Sequence, residues 1–134
     1  MKITVERLVF KSDIKNINLV ERLIDELSEK HDLHDDVYGK LLLSVVEAVN
    51  NAIVHGNKMD IDKDVVLEYS IDEAKIDFII TDMGEGFDYS NIPDPTKPEN
   101  IEKTHGRGIF LMNHLADEIE FTKNGSIVKL SFDL

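Results

Sequence analysis

Val65-Val66-Leu67-Glu68-Tyr69-Ser70-Ile71 and Lys75-Ile76-Asp77-Phe78-Ile79-Ile80-Thr81 flank the short link Asp72-Glu73-Ala74. Both runs are rich in β-branched and aromatic residues, the composition of strands. A link this short joins them as an antiparallel hairpin, because parallel neighbours need a crossover of roughly a dozen residues or more. Downstream, residues 118–123 and 127–132 repeat the pattern around Asn124-Gly125, a strong short hairpin signal. Upstream, residues 3–10 read as an opening strand. Apolar residues at Ile17, Val20, Ile24 and Leu27 have helical spacing, with Ser12 and Asp13 as N-cap candidates ahead of a helix over 14–27. A second helix is predicted over 37–55, capped by Asp35 or Asp36 and closed by Gly56 as C-cap. A third runs over 109–116, opened by His105-Gly106-Arg107-Gly108. The order is strand, two helices, two strands, long connection, helix, two strands. It predicts an α/β (α+β) two-layer sandwich, with a mixed, mainly antiparallel sheet and helices on one face, not a doubly wound parallel sheet.

The chain has 134 residues, 42% hydrophobic and 31% charged, which predicts one globular domain over 1–134. Its formal charge is −12, which argues against nucleic acid or an anionic membrane surface as the main partner, since both demand a basic face. Cysteine is absent, so disulfides, thiolate metal sites and Cys nucleophiles are excluded. The N-terminal residues lack the apolar core of a signal peptide, and apolar runs such as Leu41-Leu42-Leu43 are short. The expectation is a cytoplasmic protein with no membrane span.

The second predicted helix changes character along its length. Leu41-Leu42-Leu43-Ser44-Val45-Val46 is apolar nearly all round and predicts burial on several sides. Glu47, Asn50, Asn51 and His55 follow directly, with Glu47 and Asn51 stacked one turn apart. A polar stripe on such a helix lines a cavity or joins a buried hydrogen-bond network. A carboxylate and an amide so placed offer hard oxygens of the kind Mg²⁺ takes, and the carboxylate can instead accept a proton from a hydroxyl.

Two further clusters sit at element ends. Asp82-x-Gly84-x-Gly86 follows the hairpin; its carboxylate can accept from an exocyclic amine, and glycine lets backbone approach a flat ring. Gly106-Arg107-Gly108 opens the third helix, where free amides favour anions. Neither a Walker pattern nor a dinucleotide fingerprint is present. Between the clusters lies a connection over 89–104 carrying Pro93, Pro95 and Pro98, long enough to act as a lid. Taken singly, the Asp-x-Gly and Gly-x-Gly patterns are common turns; their order along the chain is what carries information. His31 and His34 are three apart without a third ligand nearby in sequence, so they are not assigned a metal.

That order resembles the N box, G1 box, lid and G2 box of the GHKL ATP-binding superfamily. The run Glu47-Ala48-Val49-Asn50-Asn51-Ala52-Ile53-Val54-His55-Gly56 is similar to the N box of the anti-sigma-factor serine/threonine kinases of the RsbW and SpoIIAB kind. The resemblance covers essentially the whole chain and implies the Bergerat ATP-binding fold, with ATP and Mg²⁺ as cofactors. It makes Glu47 the general base, Asn51 the Mg²⁺ ligand and Asp82 the acceptor of the adenine amino group. Gly84 and Gly86 would border the base, and Gly106, Arg107 and Gly108 would wrap the phosphates. Ser126 would support the adenine–aspartate contact through its hydroxyl and water. The implied activity is an ATP-dependent protein serine/threonine kinase that phosphorylates an antagonist protein and acts as an anti-sigma factor. The implied partners are that antagonist, a sigma factor and, as an option, a second copy of the chain. The alternative is a nucleotide-dependent binding switch with little phosphoryl transfer. The family's regulatory arginine has no aligned match; Arg22 is the nearest, offset by about one position.

Overall fold

The computed structural model describes residues 4–85 and 107–134. Strand β1 (Thr4–Lys11) leads through a 3-10 turn (Ile14–Asn16) into helix α1 (Ile17–Lys30). Helix α2 (Asp35–Asn51) follows and continues as a π turn (Ala52–Gly56). Strands β2 (Asp64–Ile71) and β3 (Lys75–Thr81) come next, then helix α3 (Arg107–Leu115) and strands β4 (Glu118–Thr122) and β5 (Ile127–Asp133). The five strands form one sheet in the order β1-β2-β3-β5-β4, and every pairing is antiparallel. Among the described residues the sheet is thus antiparallel, as expected for its greater part; short turns join β2 to β3 and β4 to β5, whereas β1–β2 and β3–β5 are joined through the helices.

Period-two burial shows which face of the sheet carries the core. Val65, Leu67, Tyr69 and Ile71 of β2 and Ile76, Phe78 and Ile80 of β3 are buried, while their alternates are not. These residues pack with Val20, Ile24 and Leu27 of α1, with Leu41, Val45, Ala48 and Val49 of α2, and with Met112 of α3. Phe78 sits at the centre, tilted against Tyr69 and edge-on to Phe132. On the other face Val5 and Val9 are exposed.

Local chemistry places several boundaries differently from the sequence-based expectation. Asp13 caps the 3-10 turn, its carboxylate accepting from Lys15 N at 3.0 Å, so α1 begins later than residue 14. His34, not Asp35 or Asp36, caps α2: its Nδ1 accepts from Asp36 N at 3.1 Å. Burial of the apolar run in α2 is one-sided, with Leu41, Ser44 and Val45 inside and Leu43 outside. The Asn124-Gly125 segment forms a 3-10 turn, with Lys123 and Gly125 at positive φ, not a two-residue hairpin turn. By length and composition alone, Asp35–Gly56 is apolar enough to cross a membrane, which the short apolar runs did not suggest. In the fold it is the core helix, packed against the sheet and against α1 and α3.

Candidate functional site

The C-terminal end of α2 organises the site. The α-helix gives way to a π turn in which Asn57 N donates to Ala52 O at 2.8 Å, five residues back. Such turns accommodate one extra residue and are concentrated at functional sites. Gly56 is therefore not the left-handed C-cap expected from its position; positive φ falls on Lys58 and Met59 instead. What Gly56 supplies is absence of bulk. A Cβ there would lie 2.3 Å from Asp82 Oδ2, and a Cβ on Gly84 would lie 2.0 Å from Gly56 O. Glycine at 84 thus lets the loop after β3 lie directly against the backbone of the π turn, and glycine at 56 leaves room for the Asp82 carboxylate.

Asp82 lies just beyond β3, in a loop whose amides are bonded one after another. Asp82 N donates to Ser126 O at 2.9 Å, Met83 N to Asn57 Oδ1 at 2.7 Å, and Gly84 N to Asp82 Oδ1 at 2.7 Å. Burial pushes the Asp82 carboxyl above the ordinary carboxylate value, and the Gly84 amide and the Lys63 ammonium offset part of that. A half-desolvated acceptor of this kind gains more from a ligand donor than an exposed one would.

One narrow cleft gathers residues from segments far apart in sequence. Asn51 and Ala52 come from α2 and its π turn, Ile80 and Asp82 from β3 and its exit, Met112 from α3, and Ser126 from the turn before β5. Of the predicted site residues, the structure thus brings together Asn51, Asp82 and Ser126. Gly84 stands two residues from Asp82 and is bonded to it. Glu47 lies one turn before Asn51 on α2, half-buried, and is not part of the cleft wall. Arg107 and Gly108 form the start of α3, which begins two residues earlier than the expected residue 109. Gly86, Gly106 and the lid over 89–104 fall outside the described residues. His55 and His114 are exposed.

Ser126 lies on the cleft wall beside Asp82; its carbonyl accepts from Asp82 N, and its hydroxyl donates to Lys123 O at 2.9 Å. Asn57 was not among the expected site residues. It is fully buried; its Nδ2 donates to Ser12 Oγ at 2.7 Å and to Asp64 O at 3.0 Å, and its Oδ1 holds Met83. An Asn after Gly in a polar stretch looks like a turn, so sequence carries almost no signal for it.

Among the described residues no group of three or more His, Cys, Asp or Glu could hold a metal. The Asn51 amide oxygen and the Glu47 carboxylate one turn away still suit Mg²⁺, which takes one or two protein oxygens and completes its shell from phosphates and water. A cavity of about 470 Å³ lies at the opposite end of the sheet, lined by Leu33, Val37, Ile71 and Asp72 among others, and none of the predicted site residues touches it. The candidate site is therefore chosen not by size but by the convergence of Asn51 and Asp82 with the close approaches at Gly56 and Gly84.

Serine-protein kinase RsbW from Staphylococcus aureus strains JH9 and Newman is 35% identical to the chain over 92 residues, which cover 63% of this chain and 58% of each relative. RsbW from strain MSSA476 matches to the same extent. The chain thus aligns with little more than half the length of these curated relatives. Residues 10–132 match the family described as histidine kinase-like ATPase domain. On a match of that extent, the chain belongs to the histidine kinase-like ATPase domain family, part of the GHKL superfamily.

Proposed function

We propose that the chain is an ATP-dependent protein serine/threonine kinase of the anti-sigma type, acting as a single ATP-binding domain over 1–134. The observation that carries the reading is the cleft wall shared by Asn51 and Asp82, within a fold whose family is an ATPase. Asp82 accepts the adenine amino group and so selects ATP over GTP. Gly84 and Gly86 border the base. The backbone of Gly106, Arg107 and Gly108 approaches the phosphates at the start of α3, and residues 89–104 act as the lid. Asn51 holds Mg²⁺, and Glu47 accepts the proton of the attacking hydroxyl. Bound with ATP, Mg²⁺ neutralises charge between the phosphates. The rest of the catalysis is positioning by the chain's own groups.

The substrate in this reading is a hydroxyl of an antagonist protein, and a sigma factor is the second partner; both follow from likeness to RsbW. Cytoplasmic location and a homodimer belong to the same proposal.

The test separates binding from chemistry. Glu47→Gln keeps shape but removes the proton acceptor, so it should bind ATP with Mg²⁺ nearly normally and lose about 10²- to 10⁴-fold in phosphoryl transfer. Asn51→Ala should weaken Mg²⁺-dependent ATP binding itself. The measurements are ATP affinity with and without Mg²⁺ and phosphorylation of a partner recovered by pull-down. Full kinase activity in Glu47→Gln would remove the base assignment. Tight ATP binding with no phosphorylation of any recovered partner would favour the nucleotide-dependent switch.

A further inference from the structure

Asn57 is the one fully buried side-chain amide among the described residues, and its three hydrogen bonds reach three separate segments. Ser12 Oγ and Asp64 O lie at the rigid edge where β1 ends and β2 begins. Ser12 is itself fixed, its hydroxyl donating to Lys63 O at 2.7 Å. On that anchored amide, Oδ1 accepts from Met83 N, the residue between Asp82 and Gly84.

We propose that Asn57 is a positioning residue for base recognition: its amide clamps the main chain at Met83 and so aims the Asp82 carboxylate into the cleft. The inference rests on the nucleotide-binding reading above. Two features make it more than a packing role. The loop has no regular structure between Thr81 and Glu85, so its shape is set by bonds to the amides of residues 82, 83 and 84. Of these, the Asp82 and Gly84 amides bind strand-end and self partners; only Met83 is tied to the helix side of the cleft, through Asn57. Asn57 also follows Asn51 on one short continuous segment, with Gly56 pressed against the Asp82 carboxylate between them. One segment therefore carries the expected metal ligand at its start and the clamp on the base acceptor at its end.

The consequence is a change in base preference, which a loss of fold stability alone would not produce. Calorimetry of the full chain with ATP and with GTP, each with Mg²⁺, reads it. In Asn57→Ala the Met83 amide loses its acceptor and Asp82 its aim; ATP affinity should fall about tenfold with GTP little changed, so the preference shrinks. Asn57→Asp keeps an oxygen for Met83 N while losing the donor to Ser12 and Asp64, and should retain the ATP/GTP ratio within about twofold despite a lower melting temperature. Ser12→Ala removes the anchor bond but not the clamp, and should likewise melt earlier with the ratio kept. Should the Ala variant not fold, Asn57→Ser, small and polar but too short to reach Met83, takes its place with the same expected loss. A wild-type ATP/GTP ratio in Asn57→Ala or Asn57→Ser overturns the inference. Equal ATP and GTP affinity in the unmodified chain instead overturns the base-recognition reading, and this inference with it.

Discussion

Two aspartates stand at the two ends of β3. Asp72 precedes the strand and Asp82 follows it, and each carboxylate accepts from the amide two residues on: Ala74 N at 2.7 Å and Gly84 N at 2.7 Å. The local motif is the same, an Asx turn. The electrostatic outcome is opposite. The Asp72 carboxyl is held below the ordinary value by the amides of Ala74 and Lys75, in a turn whose Glu73, Ala74 and Lys75 are exposed. The Asp82 carboxyl is pushed above it by burial, which its single turn bond and Lys63 do not overcome. A hydrogen bond to the carboxylate decides where solvent supplies the rest; desolvation decides where it does not. Asp72 therefore serves its turn, whereas Asp82 remains an acceptor that a ligand can satisfy.

Glycine sharpens the contrast most. Gly84→Ala would place Cβ 2.0 Å from the Gly56 carbonyl, a backbone atom that cannot swing aside. The expected result is destabilisation by about 3 kcal/mol, read as a lower urea midpoint, together with loss of ATP binding. A variant as stable as the parent would show that the two loops are not in contact.

Next comes the comparison of the aspartates themselves. Asp82→Asn should weaken ATP binding by about 10- to 100-fold, the worth of a charged hydrogen bond of roughly 1.5–3 kcal/mol. Asp72→Asn should leave ATP affinity unchanged. Calorimetry on the pair breaks the comparison if both variants bind equally well.

A milder test uses a glycine without neighbours. Gly39 lies inside α2 with open space around its missing side chain. Gly39→Ala should stabilise the fold by about 0.5–1 kcal/mol, visible as a higher melting temperature, with ATP binding intact. Gly84 and Gly39 then separate glycine required by contact from glycine merely tolerated.

The smallest effect is in pH. A carboxyl whose folded-state pKa is lowered contributes stability that is present above its unfolded value and is lost as pH falls through the folded one; Asp72 is of this kind. Asp82 has the opposite sign. Its folded-state pKa lies above the ordinary 3.8, so folding disfavours its ionised form. Its unfavourable contribution appears as pH rises through that window and is absent below it. Asp82→Asn should therefore melt slightly above the parent at pH 7, with the gap closing on acidification. Asp72→Asn should melt below the parent at pH 7, with its gap also closing in acid. Melting curves from pH 7 down to about 3 check both signs.

Much of the secondary structure rests on local rules. Period-two apolar runs and a short turn specify the β2–β3 hairpin, because side chains alternate faces whatever packs on them. Helical spacing specifies α1 and α2, and the spacing of Glu47 and Asn51 puts them on one stripe before any tertiary contact forms. The order of the polar clusters was legible too, and the family resemblance followed from it. Tertiary structure alone decided what depends on approach between distant segments. No rule of periodicity places a π turn at Ala52–Gly56, since its extra residue is set by what Gly56 and Asn57 must meet across the cleft. The same holds for Asn57, whose partners lie 45, 26 and 7 residues away, and for Ser126, whose carbonyl accepts from the distant Asp82 amide. Nor does spacing separate Asp72 from Asp82. Their hydrogen-bonding motif is local and shared, but burial is a property of the whole fold, and burial is what sets the two carboxylates apart.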